Sequence, residues 1–291
     1  MKRLDKTEII FKILSYILLT LFALCCLYPF IYVLSASLSN KSAVDSGLVV
    51  IVPMVDNHFG FDFTTYVEVF NNKEFWISYS NTFFVTGYGT LVSMLVAITG
   101  AYALSKTRLV FGRGFNFMLV FTMWFSAGMI PTFQNFKNFH VDNKYMFIIA
   151  LGFKAFNIIL LRNYFSSVPT EIEEAATIDG ATEFQILTKI YIPMSKSSIV
   201  TVAMFYAVSR WNGYIWAQML LLKDSDILLT VFIKSNMAQL VDIINNGADV
   251  AYSAYGLQYT FIVCSIIPVI VIYPSLQKYF AAGVNVGGVK E

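Results

Sequence analysis

Charge is scarce in this chain: Asp, Glu, Lys and Arg supply only 13 % of its 291 residues. That is about half of the roughly 25 % usual for soluble domains. A water-soluble protein of this length needs a polar surface, and too few polar residues are present to build one. The long uncharged runs identify the missing solvent as lipid. A net charge of +2, with no basic tract interleaved with aromatics, gives no footing for a nucleic-acid partner. The three cysteines, Cys25, Cys26 and Cys264, lie inside apolar runs. They have no metal-ligand spacing, make no disulfide framework and read as small apolar packing. The only histidines, His58 and His140, stand apart with no nucleophile and acid in a catalytic pattern. A G-x-x-x-x-G-K-[ST] phosphate loop is also missing, so ATP and Mg, if used, belong to another subunit.

What the chain does have is apolar length. It is 57 % hydrophobic, with a mean hydropathy of +0.64. Residues 13–40 carry no charge and follow Lys2, Arg3, Lys6 and Lys12. This run exceeds the roughly 7–15 apolar residues of a cleavable signal peptide, so an uncleaved first span is expected. A crossing helix needs roughly 20 mostly apolar residues. The expected fold is an all-α membrane protein of six spans, at about 11–36, 80–104, 115–133, 144–161, 198–222 and 255–277. With the N-terminus inside, twelve of the twenty Lys and Arg residues fall on inner segments and six on outer ones. Both termini are therefore expected in the cytoplasm. The expected outer loops are 37–79, 134–143 and 223–254.

Residues 162–197 then form a cytoplasmic loop, and its local signals favour helix. Thr170 and Glu173 have capping-box spacing, and Glu171, Glu173 and Glu174 suit the positive end of a helix dipole. Gly180 can end that helix in a left-handed conformation. Thr182 and Gln185 offer a second capping box, and Pro193 is expected to stop the second helix. Phe184, Leu187, Ile190 and Tyr191 recur at helical spacing as its apolar stripe. The segment reads as a helix–turn–helix knob, although an ordinary hairpin with solvated acids would show the same capping.

"EAATIDGATEFQILTKIYIP" resembles the EAA loop of ABC importer permeases: Glu-Ala-Ala, three residues, Gly, nine residues, Ile, one residue, Leu-Pro. Glu174, Ala175, Ala176, Gly180, Ile190 and Pro193 match, as do Asp179 and Ala181 beside the glycine; Ile192 replaces the leucine. "FNIILLRNYFSSVPTEIEEAA", "FYAVSRWNGYIWAQ" and "YPSLQKYFAAGVNVGGVKE" are similar to the MalG-like permeases of carbohydrate importers. The resemblance implies a type I importer permease fold forming a single transmembrane domain in the bacterial cell membrane. It also implies a second homologous permease, two cytoplasmic ABC ATPases and an extracellular solute-binding protein as partners. In that family the loop sits in a cleft of the ATPase. Glu173, Glu174, Ala175, Ala176, Asp179, Gly180, Ala181, Phe184 and Pro193 are the residues expected to carry coupling.

Two cations fall inside expected spans, Lys154 and Arg210, while none of the eighteen acidic residues does. An intramembrane charge needs a cavity, a carbonyl set or a partner, although Lys154 could instead snorkel from a shifted span. "RWNGYIW" supplies Arg210, Trp211, Asn212 and Tyr214, aromatic faces and amide groups suited to sugar. With Lys154 and Asn157 they form a candidate substrate path, and helix packing between two permeases explains the same residues. The cations also admit an acidic oligosaccharide. The competing reading is an ion-coupled secondary transporter, which would need an intramembrane carboxylate.

Overall fold

The first element, α1 (Lys6–Ser37), is apolar on every side, and its most apolar window has no residue buried within the chain. A helix without a polar face has no stable orientation in water, so its surroundings are lipid or another subunit. The computed structural model describes residues 6–245 and 250–284. Lys2, Arg3 and Lys290, and the end of the C-terminal segment of resemblance, lie outside the described residues.

The chain divides into two compact units. One comprises residues up to Trp76 together with Ile233–Ile267. It holds α1, α2 (Lys41–Asp45), a two-stranded antiparallel ribbon of β1 (Met54–Val55) and β2 (His58–Phe59), and α3 (Thr64–Asn71). Ala36, Ala43 and Val49 form its small core. Asn40 caps α2 by accepting from the Ala43 amide, which satisfies one of the free donors of that helix end. Thr260 donates to Thr65 at 2.7 Å, and Thr65 donates to the Ser37 carbonyl at 3.1 Å. Three buried polar groups are thereby paired where each left alone would cost about 1–3 kcal/mol.

The second unit comprises Ile77–Phe232 and the chain from Pro268. Helix α4 (Lys73–Ser105) begins in the first unit and continues through the second. There follow α5 (Gly112–Trp124), α6 (Met129–Asn138), α7 (Lys144–Ala150) and α8 (Ala155–Phe165). Next come α9 (Thr170–Ile178), α10 (Glu183–Ile186), a π-turn (Leu187–Tyr191) and α11 (Ile192–Met194). The order continues with α12 (Lys196–Trp211) and α13 (Ile215–Leu220), while α14 (Leu229–Asn245) and α15 (Ala254–Val284) are each divided between the two units, at Phe232 and Ile267. The main core of the second unit joins Ala97, Ala101 and Tyr102 of α4 to Leu161 and Phe165 of α8, Tyr191, and Val202 and Tyr206 of α12. Small residues at 97 and 101, one turn apart, let helices approach closely where no water is available to drive them together.

Among the described residues three helices, α1, α4 and α15, are long and apolar enough to cross a membrane alone. The third and fourth expected spans are broken. The axes of α5 and α6 differ by 117°, across a break containing Gly128 at φ +85°. Those of α7 and α8 differ by 53°, across Leu151–Lys154. The fifth is divided between α12 and α13 by Asn212–Tyr214. Continuous hydropathy could not reveal these breaks, because a broken span stays apolar when protein covers its free backbone groups. Helix α14 lies where an outer loop was expected, and the stretch from Phe61 to Thr82 forms α3 and the start of α4.

Candidate functional site

Two clusters stand out in the second unit. The first is the helical hairpin Thr170–Met194. Its turn requires glycine: Gly180 sits at φ +80°, and the Ala181 amide donates to the Ala176 carbonyl at 2.9 Å to close the end of α9. The box at the start of α10 forms as expected, with Thr182 and Gln185 satisfying each other's amides. The box expected at Thr170 does not form. Pro169 is the N-cap, leaving Thr170 as the first helical residue, and Glu173 is engaged elsewhere.

The Glu173 carboxylate turns inward to the chain that leaves α4. Its Oε2 lies 2.6 Å from Lys106 Nζ and accepts from Tyr191 at 2.6 Å; Arg108 lies 3.6 Å from Oε1. Lys106 Nζ also lies 4.1 Å from the ring centre of Tyr102 and 4.2 Å from that of Tyr191. The two rings meet edge to face at 5.0 Å. Glu183 closes the cluster, accepting from Tyr102 at 2.6 Å and pairing with Arg108. Lys106 and Glu173 are 9 % and 16 % exposed, so this pair is shielded from solvent and salt. It ties α9 and the π-turn to the end of α4.

Burial pushes the Glu173 carboxyl up, but hydrogen bonds from Lys106 and Tyr191 and the charges of Lys106 and Arg108 outweigh it and hold it below its ordinary value. The hydrogen bond from Tyr102, more than any other contact, holds Glu183 below its ordinary value. Burial, and then the bond to Glu173, push the Tyr191 hydroxyl up. A carboxyl lowered on folding stabilises above its unfolded pKa and loses that contribution as pH falls through the folded value. The hairpin is therefore expected to keep its protection from pH 8 down to about pH 5 and to loosen only below about pH 4.5. Hydrogen exchange at residues 170–194, corrected for intrinsic rates, measures this; loosening already at pH 6 would contradict it.

Pro193 does not stop the second helix. The π-turn lies just before it, where a regular turn would drive the proline ring against the carbonyl four residues back. The chain then passes through Ser195 directly into α12. Leu187 and Tyr191 are buried and Ile190 is partly so, as the stripe predicts, but Phe184 is 73 % exposed. At the second position of α10 it lies short of the core, and Ile186 takes the inward place. Ile178, at the end of α9, is 86 % exposed. Glu174, Ala175, Asp179 and Gly180 are exposed as well, while Ala176 and Ala181 pack partly against the core. The hairpin thus has a latched base and an apolar, acidic tip.

The second cluster surrounds a cavity of about 580 Å³ lined by Lys154, Tyr206, Ser209, Arg210, Asn212 and Tyr214, among others. Arg210 is only 7 % exposed. Its Nη2 donates to Ser93 Oγ at 2.9 Å and to the carbonyls of Ile148 and Leu151, each at 3.1 Å. Those carbonyls are available because α7 ends there. Gly89 makes room for the guanidinium: a β-carbon at 89 would lie 2.5 Å from Nη1. Nε and Nη1 are buried and have no partner among the described residues. Lys154 is not mid-helix but extended at the N-cap of α8, donating to Ser209. Trp211 turns away from the cavity and packs edge-on against Tyr79 and Phe83, whereas Trp216 lines it. Asn157 is 3 % exposed and lies outside the lining. Ser209 and Tyr206 were missed at the sequence level; Tyr206 stands four residues before Arg210 on α12, which was the available signal, and adjacent Ser209 offered none.

Residues 1–286 match a family described as "Binding-protein-dependent transport system inner membrane component". A polygalacturonan/rhamnogalacturonan transport system permease protein of Bacillus subtilis (strain 168) is 36 % identical over 97 % of this chain and 98 % of its own length. A chain in the crystal structure of a bacterial ABC transporter involved in the import of the acidic polysaccharide alginate aligns with a TM-score of 0.87. It is 42 % identical over 96 % of this chain and all of its own length. A chain from a bacterial alginate ABC transporter in complex with alginate pentasaccharide-bound periplasmic protein aligns at 0.61 and 14 % identity, over 91 % of this chain and 92 % of its own, and shares the fold alone.

Proposed function

Because the chain belongs to the binding-protein-dependent transport system inner membrane components, we propose that it is a permease subunit of an ATP-driven importer of acidic oligosaccharides. It resides in the bacterial cell membrane as a multi-pass protein with six spans and both termini in the cytoplasm. A second permease completes the pathway, two cytoplasmic ABC ATPases bind and hydrolyse ATP with Mg, and an external solute-binding protein delivers the sugar. This chain is not itself an enzyme. The hairpin at 170–194 is its coupling element, with Glu173, Glu174, Ala175, Ala176, Asp179, Gly180, Ala181, Phe184 and Pro193 as its working positions. The observation that carries this reading is the hairpin's geometry, an exposed tip on a base fastened to α4 and continuous with α12. Movement imposed on the tip reaches two long helices through few soft joints. ATP binding shifts the importer between inward- and outward-open states only by favouring one of them through that contact. The acidic substrate class is supported by the polygalacturonan and alginate relatives.

Replacing Gly180 by valine tests the coupling role. Open space surrounds the position, so the cost is conformational: a β-branched residue at φ +80° is strained by about 1–2 kcal/mol. The assembled importer is expected to lose about tenfold in uptake per ATP hydrolysed. Uptake per ATP equal to the unsubstituted importer would contradict the role. Absence of any ATPase in the purified complex would contradict the wider proposal.

A further inference from the structure

The cavity beside α12 holds charge that the protein itself leaves unbalanced. Arg210 and Lys154 both line it, and among the described residues no carboxylate pairs with either. A buried cation such as Arg210 is ordinarily paired, because removing a charge from water costs several kcal/mol that backbone carbonyls repay only in part. Arg210 spends Nη2 on three oxygens, and these contacts aim the guanidinium and fix its fork. Among the described residues its Nε and Nη1 donors are buried without a partner.

We infer that this cavity is a subsite for the carboxylate of a uronate residue in transit, with Lys154 and Arg210 supplying charge. It deepens the importer reading and rests on it. A carboxylate matches the planar guanidinium fork in shape and charge, and the ammonium of Lys154 adds a mobile second donor. Ser209, one residue before Arg210, holds Lys154 at the rim. Asn212 and Trp216, on the same cavity wall, suit the neighbouring sugar's hydroxyls and its C–H face. About 580 Å³ accommodates one or two sugar rings, within the usual range of ligand pockets. The binding is partial by design: a substrate that must leave again cannot be fully enclosed by charge.

The test uses the complete importer in proteoliposomes, with trigalacturonate as the probe and assembly with the ATPases measured for each variant. Lys154→Gln and Arg210→Gln are each expected to lower uptake at least about tenfold, the loss set by one charge-assisted hydrogen bond. Arg210→Lys, which keeps charge without the fork, is expected to fall between Arg210→Gln and the unsubstituted protein. Uptake within about twofold of the unsubstituted importer in both Gln variants would overturn the subsite. If Arg210→Gln fails to assemble, Lys154→Gln alone decides, since Lys154 is exposed and tolerates replacement. An unsubstituted importer that takes up neutral trisaccharides but no trigalacturonate would overturn the acidic-substrate reading itself, and the site with it. Intact trigalacturonate uptake that ignores both variants removes the site alone.

Discussion

Ile178→Asp combined with Phe184→Asp is expected to detach the ATPase subunits from the purified complex. The two side chains are 86 % and 73 % exposed at the tip of the hairpin, beside exposed Gly180 and Asp179. Neither contributes to the core of this chain, so the substitution leaves the permease fold intact. Each would supply roughly 1.5–3 kcal/mol if fully covered by a partner. Losing both, and placing two charges in the contact, should weaken association on the order of 100-fold or more. Pull-down of the ATPase at graded concentrations measures the effect, with thermal unfolding of the permease as the control. Retention of the ATPase at its usual concentration would show that the tip is not the docking surface.

The second large effect is expected from Glu173→Ala, for a different reason. Glu173 lies at the base, where its removal strands Lys106 in a nearly closed setting and frees Tyr191 from its acceptor. Breaking a buried pair from one side typically costs about 3–5 kcal/mol, because the remaining charge is left uncompensated. The ATPase should still bind, since the tip is untouched, but its motion should no longer reach α4. Uptake is expected to fall on the order of 100-fold while ATP hydrolysis persists, and hydrogen exchange at 170–194 should rise. Removing both partners together, as Glu173→Leu with Lys106→Met, should restore most of the hairpin's protection, since neither charge is then stranded. Protection in the double variant as low as in the single one would mean that Glu173 acts by some contact other than the pair. The two experiments separate docking from transmission: the tip variant loses the partner, and the base variant keeps the partner but loses the stroke.

Membrane residence, the positions of the long apolar runs and the hairpin between the fourth and fifth of them were all legible in the sequence. Each rests on local physics. Apolar length sets what can sit in lipid, Gly180 is needed where the chain turns left-handed, and Thr182 with Gln185 closes a box only three residues long. The EAA spacing is local too. Pattern failed where a distant contact or the boundary of an element overrode a local signal. Glu173 suited a capping box by spacing, yet a cation and a tyrosine hydroxyl from elsewhere outbid the helix end for its carboxylate. Phe184 suited the stripe by period, yet α10 starts too late to bury it.

The sequence by itself therefore determined that this chain lives in a membrane, where its polar helical hairpin falls, and that two cations sit where no acid is near in the chain. Only the tertiary structure decided what those groups touch. It broke three expected spans at points hydropathy cannot detect, because covered backbone is as well satisfied as helical backbone. It brought Lys106 to Glu173 across 67 positions of chain, and Gly89 beside Arg210 across 121. Contacts between residues so distant leave no periodic trace in a single sequence. They arise when packing the apolar faces of α4, α8 and α12 fixes where the polar groups must end.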